Sequence, residues 1–456
     1  MEMAAIVWPF PFSGANARRA AVKRDMKILV LNSGSSSQKA CLYQIGQIPP
    51  EAPPAPLWEG RIEWRNHSAT ISVKNHQGAA LQEELPSSSR EEAVHRLLGT
   101  MWSGRTRAIN FASEIDAVGH RVVHGGPHFE EPAILTPEVR AAIDRVSAFA
   151  PLHIRAELEG MEIIEDLLGA VEQIGVFDTG FHRQMPLPAS VYPGPYRWFE
   201  DGIRRYGFHG INHQYCAERA AQMLGADVKA LRIVSCHLGN GCSVTAIRGG
   251  QSIDTTMGFT PLDGLMMGTR SGSVDPGILT FLMREKGLDG QELDKVLNQE
   301  SGLLGISGFS SDMRDILAGV RRGHERAKLA FDIYAHRLRA AIGSMAAVLG
   351  GIDALVFTAG VGENSPEVRA AACSGLEFLG LRLDRETNAR PSLDQEISTA
   401  DSSVRVLVIR AEEDWAIAKE CSKLAHAHPA GSATASIARK ESLRAGERAA
   451  SESGII

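Results

Sequence analysis

Between Leu231 and Ile247 the chain runs apolar, then polar, then apolar again. The strand LRIVSC leads into the turn His237-Leu238-Gly239-Asn240-Gly241, and a second strand begins near Cys242. Asn-Gly between two β-rich runs signals a hairpin, because both residues tolerate positive φ. A turn of bare N–H groups, with glycines that let the backbone come close, also suits an anion such as phosphate. The same design stands near the N-terminus: strand KILVL, polar turn Asn32-Ser33-Gly34-Ser35-Ser36-Ser37, strand KACLYQI. Two strand–turn–strand units roughly two hundred residues apart predict a duplicated α/β fold with a nucleotide between its halves.

The remaining pattern fills in around these two units. Ser88 or Ser89, followed by Glu91 and Glu92, caps a helix running to about Trp102. Asp116–Gly126 reads as a strand ending in a Gly loop that carries Arg121. The strand Gln173–Phe177 delivers Asp178, and a carboxylate at the C-terminal end of a buried strand is where open α/β sheets place chemistry. Residues 185–207, with four prolines and three glycines, suit a hinge or crossover. A helix is expected from about Asn212 to Leu224. Asp254–Asp275 is too rich in Gly and Thr for a regular element, and ordered loops of that length are usually functional. Apolar residues at 329, 333, 338, 342, 345 and 349 predict a buried-face helix stopped by Gly350-Gly351. The strand Ala354–Thr358 leads into Gly360-Val361-Gly362-Glu363-Asn364, and Ser365-Pro366 opens the next helix. A strand at 404–409 precedes a final helix from about Glu412.

A length of 456 residues exceeds one core and favours two domains. The expected division is a loose extension over 1–25, a first domain over 26–180 plus a returning helix at 410–427, a second over 181–409, and a disordered tail over 428–456. The net charge of −6 gives no support for nucleic-acid binding or a basic membrane patch. No apolar run is long enough to span a bilayer. Six scattered cysteines without a CxxC pair read as reduced cytosolic thiols, placing the protein in the cytoplasm.

No P-loop and no protein-kinase signature occurs. His209 and His213 have the i, i+4 spacing of a zinc pair, but Gly210 stands where a metalloprotease needs glutamate. On the residues alone, His209 and Asp178 read more readily as structural braces than as chemistry. Arg121 and Arg270 each sit in a Gly-rich loop, an expensive place for a structural arginine.

The segments NSGSSSQK at 32, HRVVHGG at 120, APLH at 150, VFDTGFH at 176, RRYGFHG at 204, HLGNG at 237, DTTMGFTPLDGLMMGTRSG at 254, SGLLGISG at 301 and GVGEN at 360 together resemble the acetate kinase family over about residues 26–420. That resemblance implies two ribonuclease H-like domains, the actin-like ATPase fold of the acetate and sugar kinase, heat-shock chaperone and actin superfamily, closing on ATP across an interdomain cleft. It implies reversible phosphoryl transfer between ATP and acetate, giving acetyl phosphate and ADP, with propionate or butyrate as the alternative acceptor and a non-catalytic switch as the distant one. By the same analogy Asn32 and Glu413, or Glu412 in its place, hold Mg²⁺ (Mn²⁺ in its stead). Arg121 and Arg270 hold the carboxylate and the migrating phosphoryl group, His209 donates to it with His153 and His237 nearby, and Asp178 orients the carboxylate site or binds through the metal. Val123, Leu152, Phe208 and Pro261 surround the acetate methyl. His237, Leu238, Gly239, Asn240 and Gly241 cradle phosphates, while Lys39, Asp312, Met313, Arg314 and Gly360–Asn364 meet the nucleotide. The resemblance also implies a homodimer. Departures are Gly180 for Ala, Ala359 for Gly, Ile154-Arg155 for Asn-Pro after His153, and Ala411-Glu412-Glu413-Asp414 at the closing motif.

Overall fold

The computed structural model describes residues 25–427 except 34–36, 66–67, 87–88, 150, 391 and 393. The expected N-terminal extension up to residue 24, the tail, and the middle of the first turn lie outside the described residues. The first sheet contains β1 (Met26–Ser33), β2 (Ser37–Ile45), β3 (Trp58–Arg65), β4 (Ser68–Asn75), β5 (Ala80–Pro86), β6 (Ala117–Val122), β7 (Ala133–Ile134) and β8 (Glu172–Phe177). Their order is β5-β4-β3-β2-β1-β6-β8-β7. The second contains β9 (Arg232–Leu238), β10 (Cys242–Arg248), β11 (Gln251–Thr255), β12 (Ala354–Thr358), β13 (Gln395–Glu396) and β14 (Arg405–Val408), ordered β11-β10-β9-β12-β14-β13.

The two sheets share one design. In the first, β3-β2-β1 is an antiparallel meander and β1, β6 and β8 run parallel. In the second, β11-β10-β9 is the meander and β9, β12 and β14 run parallel. Parallel strands must be buried on both faces, which is why Ile28-Leu29-Val30-Leu31 and Ala354-Leu355-Val356-Phe357 are continuous apolar runs, fully buried. The duplication read from two hairpins is therefore a duplication of whole five-stranded units.

Two helices join the halves. Glu413–Ala427 lies on the first sheet, where Ile417 and Cys421 press against Gly119 so closely that a Cβ there would stand 2.8 and 2.6 Å from them. Gly210–Leu224 ends at Gly225, which adopts the left-handed conformation of a C-cap. One continuous apolar cluster runs from Ile28 and Ile174 through Trp415, Ile417, Ile211 and Ala217 to Ile233 and Val356, so the two sheets are tied through this helix pair.

Several local expectations hold. Ser89 caps the Arg90–Gly99 helix in a full capping box with Glu92. Ser365 caps Pro366–Cys373 with Pro366 in the first turn, and Gly350 caps Glu325–Leu349. The face of that long helix is the expected one at Leu338, Ile342, Met345 and Leu349; it departs at its start, where Leu329 is exposed and Ala327, Ala330 and Tyr334 are buried. Small alanines pack there, so counting only large apolar residues missed the first turns of the stripe. The second turn also forms differently from the Asn-Gly expectation. Gly239, Asn240 and Gly241 make a three-residue link, with the Gly239 N–H donating to the Gly241 carbonyl at 3.0 Å, and none of them has positive φ.

Candidate active site

The cleft is built from strand ends. Arg121 is in β6 itself rather than in the glycine loop beyond it, and Asp178 follows the last residue of neighbouring β8. Adjacent parallel strands therefore present the two side chains together. The Arg121 guanidinium meets the fully buried Asp178 carboxylate at 2.8 Å. Burial alone would lower the Arg121 pKa, but the neighbouring carboxylates, Asp178 first, outweigh it and hold the guanidinium charged. Asp178 Oδ1 and Arg121 Nε are buried without a partner among the described residues. Unmet polar atoms of this kind are costly, and here they belong to two charged groups on the cleft.

His209 reaches the same point from the second half. Its backbone N–H donates to Asp178 Oδ2 at 2.9 Å, and the next N–H, of Gly210, donates to the Asp178 carbonyl. A Cβ at Gly210 would stand 2.3 Å from that carbonyl, so glycine is required there. His209 itself is held at φ 57°, a conformation a non-glycine residue adopts at a cost of roughly 1–2 kcal/mol. Its ring stacks on His237, centroids 3.9 Å apart. Burial, and then His237 and His213, keep His209 far below its usual pKa, and burial likewise brings His237 and His153 down to about 4. All three rings are neutral near pH 7.

Arg270 comes from the irregular stretch after β11 and donates to the Pro261 carbonyl at 3.0 Å. It lies within the electrostatic reach of Arg121, and burial lowers its pKa. Gly241 sits between Arg270 and His209: a Cβ on it would be 3.5 Å from Arg270 Nη1, His209 Cε1 and His209 Nε2. On the other side of His237, Glu413 lies 4.0 Å from Nδ1 and accepts from Asn32 Nδ2 at 3.4 Å. Burial pushes Glu413 up to about 7. Glu412 instead pairs with Arg410, leaving Glu413 as the carboxylate beside Asn32. The structure thus brings Asn32, Arg121, His153, Asp178, His209, His237, Gly241, Arg270 and Glu413 to one place.

Other expected residues lie around this centre. Val123 and Phe208 are buried in the core flanking Arg121 and His209, and Pro261 is partly buried. Leu152 lies in the Pro151–Leu168 helix, with its side chain outside the described ones. Leu238 is buried, so any contact it makes to a ligand is through its backbone. Asn240 and Ser311 meet at Gly268, bringing the turn beside the segment that carries Asp312. Asp312 caps the Met313–Arg321 helix and pairs with exposed Arg314, whereas the Met313 side chain is buried in the core. Gly360–Asn364 forms a short helix with Ala359 at φ 64°. Lys39 is committed to an ion pair with Asp414. A separate cavity of about 410 Å³ beside Phe177, Tyr215 and Lys419 contains none of these groups.

Sequence reasoning missed the supports. Arg369 is fully buried and donates to the carbonyls of Gly362 and Glu363 at 2.7 and 2.8 Å and to Asn388. It holds the Gly360–Asn364 segment in place, and nothing local to its helix announces this. Glu157 accepts from the Val123 N–H at 3.1 Å. Asn212 donates to His237 Nδ1 at 2.8 Å, and His182 links Ser252 to the Phe208 carbonyl. Inward-facing serines in otherwise apolar strands were the available signal, since a buried hydroxyl needs a partner.

Two halves of one topology meeting over arginines, neutral histidines and carboxylates define a kinase of the actin-like ATPase fold. The acetokinase family profile matches residues 27–419. The chain is 58% identical over 402 residues to an acetate kinase of Gloeobacter violaceus, covering 87% of this chain and 98% of that one. It is 56% identical over 401 residues to an acetate kinase of Cyanothece, covering 88% and 98%. Two solved structures superpose with TM-score 0.79, a Porphyromonas gingivalis acetate kinase at 41% identity and a Francisella tularensis propionate kinase at 36%, each covering 87% of this chain and 98% of theirs. The chain belongs to the acetokinase family.

Proposed function

We propose that this protein transfers a phosphoryl group between ATP and acetate, reversibly, in the cleft around Arg121, His209 and Arg270. The observation that carries the reading is the convergence of two arginines, one from each half, on a neutral histidine whose backbone is anchored by Asp178. Phosphoryl transfer asks mainly for positioning and charge neutralisation. An acetate oxygen forms the new bond to the γ-phosphorus while the bond to the bridging oxygen breaks, and ADP leaves with that electron pair. Acetate is already ionised, so no base is needed. The role we give Asp178 is to fix Arg121 and His209. Guanidinium forks suit both the carboxylate and the phosphoryl oxygens, and His209 Nε2–H donates to an equatorial oxygen.

Asn32 and Glu413 fit a Mg²⁺ site: an amide and a carboxylate supply oxygen ligands, and magnesium commonly takes only one or two carboxylates with the substrate phosphates. Held there by Asn32 and Glu413, the ion would supply neutralisation of phosphate charge. Glu413→Gln tests this by raising the Mg²⁺ concentration needed for ATP to protect the fold against melting.

Val123 and Phe208 flank the acyl group. A hydrophobic pocket discriminates by about 1–3 kcal/mol per methylene, so acetate is the preferred acceptor and Val123→Ala shifts the ratio toward propionate. We also place the protein in the cytoplasm as a homodimer. All six cysteines are free, as a reducing compartment allows. The Pro276–Lys286 helix leaves Ile278, Phe281 and Met283 exposed, apolar surface for a second copy. The chain divides, in this reading, near 180 and 410, with the last helix returning to the first half. The test of the function is Arg270→Ala, expected to lower kcat by about 10²–10³ with ATP still bound; near-wild-type turnover would remove Arg270 from the mechanism.

A further inference from the structure

Behind His209 lies a chain of buried hydrogen bonds that the reaction as described does not use. His209 Nδ1 is 2.9 Å from the Ser243 hydroxyl, which is 2.7 Å from His213 Nε2. His213 Nδ1 is in turn 2.9 Å from the Ser235 hydroxyl. Ser235, His213 and Ser243 are fully buried. The side chains come from facing elements: Ser235 and Ser243 from neighbouring strands β9 and β10, His213 one helical turn beyond His209. On β9 the same face reads Ile233, Ser235, His237, and on β10 Ser243, Thr245, Ile247. The polar residues occupy the end nearest the cleft.

Proton counting fixes the direction of this chain. Each hydroxyl carries one proton, and each neutral imidazole carries one on a single nitrogen. The two rings are the partners of the Ser243 hydroxyl, so its proton goes to one or the other, which leaves two self-consistent states. In one, Ser235 O–H donates to His213 Nδ1, His213 Nε2–H donates to Ser243, and Ser243 O–H donates to His209 Nδ1. His209 then carries its proton on Nε2, the atom that faces the space beside Gly241 and Arg270. In the other state every bond reverses, His209 Nε2 is a bare lone pair, and the Ser235 O–H must find another acceptor. Ser235 has no second side-chain partner among the described residues, and a buried unsatisfied donor costs about 1–3 kcal/mol. The first state is therefore favoured.

We propose that Ser235, His213 and Ser243 are positioning residues that lock His209 in its Nε2–H tautomer, so that the cleft always meets a phosphoryl oxygen with a donor and never with a lone pair. This rests on the reading of His209 as a phosphoryl contact. A lone pair aimed at an anionic oxygen would repel it, and a histidine free to exchange tautomers would spend part of its time in that form. The other charged and titratable groups facing His209 are His237, stacked on its ring, Arg121, Arg270 and Asp178, whose Oδ2 is taken by the His209 backbone N–H and by Arg121. None supplies an acceptor that would hold its proton on Nδ1.

The test is the protonation pattern of His209 in the full-length protein labelled with ¹⁵N-histidine, its signals assigned by their loss in His209→Gln. Wild-type protein is expected to show the Nε2–H form, and Ser243→Ala to show an admixture of Nδ1–H. Turnover of Ser243→Ala should fall about tenfold, as for a weakened transition-state contact, with the KM for ATP unmoved. An Nδ1–H signal in wild-type His209 overturns the proposal without any variant, and so does a folded Ser243→Ala protein with unchanged tautomer and rate. Wild-type turnover of His209→Gln would instead refute the catalytic reading of His209 while leaving the tautomer result standing.

Discussion

Gly241→Ala separates the needs of the fold from those of the reaction. Gly241 is outside the left-handed region, so its backbone conformation is open to alanine. The added Cβ would meet Arg270 Nη1 and the His209 ring at 3.5 Å, an ordinary contact distance. Replacing glycine where the backbone permits it usually stabilises a protein by about 0.4–1 kcal/mol through the unfolded state. The melting temperature should therefore hold or rise slightly. The methyl nevertheless fills the space between a guanidinium and a neutral imidazole that the account gives to a phosphoryl oxygen. Displacing a reacting group by about 1 Å costs roughly 10²-fold in rate, which is about 2.7 kcal/mol of barrier. Calorimetry of the purified variant, with initial rates of ADP formation at saturating ATP and acetate, reads both quantities. A stable protein with kcat reduced about 10²-fold is expected. Wild-type turnover in the stable variant would mean that the phosphoryl group does not pass between Arg270 and His209.

Arg121→Ala should cost stability as well as activity, because it strands the buried Asp178 carboxylate; breaking a buried pair typically costs about 3–5 kcal/mol. Adding Asp178→Asn should recover much of the urea-melt stability but none of the turnover, and full recovery of turnover would contradict the assignment of Arg121. Arg369→Lys loses the planar fork that holds Gly362 and Glu363; the KM for ATP should rise about tenfold or more with the KM for acetate little changed, as steady-state kinetics would show. Burial pushes Glu157 up to about 8 against the pull of Arg121 and the Val123 N–H. The folded protein therefore keeps a proton that the unfolded chain releases from about pH 4.3. Stability drawn from this group is full below that pH and declines as pH rises through about 8. Glu157→Gln should flatten the decline in urea melts on either side of the window, and an unchanged slope would count against it.

The two hairpins and the runs of apolar strand were legible because parallel strands write burial directly into sequence, as at Ile28–Leu31 and Ala354–Phe357. Cap residues were legible for a similar reason: Ser89, Ser365 and Gly350 act on backbone within a few positions. Arg121 and Asp178 could be picked out singly by placement, but their pairing depends on the register of β6 beside β8, which no local pattern encodes. The turn at Gly239–Gly241 showed the limit of a dipeptide rule. Neither of its glycines takes positive φ, and what Gly241 leaves open is the space beside Arg270 and His209. Arg369 and Glu157 stayed hidden because their partners lie in other elements, and a lone charged residue on a helix ordinarily faces water.

The claim that this cleft phosphorylates acetate is tested most directly by incubating the purified protein with ATP, Mg²⁺ and acetate, propionate or butyrate in parallel. ADP is followed, and the acyl phosphate is trapped with hydroxylamine. The account predicts equal amounts of ADP and acyl hydroxamate, with acetate the best acceptor and propionate roughly ten- to two-hundred-fold lower in kcat/KM. ADP formed without trapped acyl phosphate, or a preference for propionate or butyrate, would contradict it.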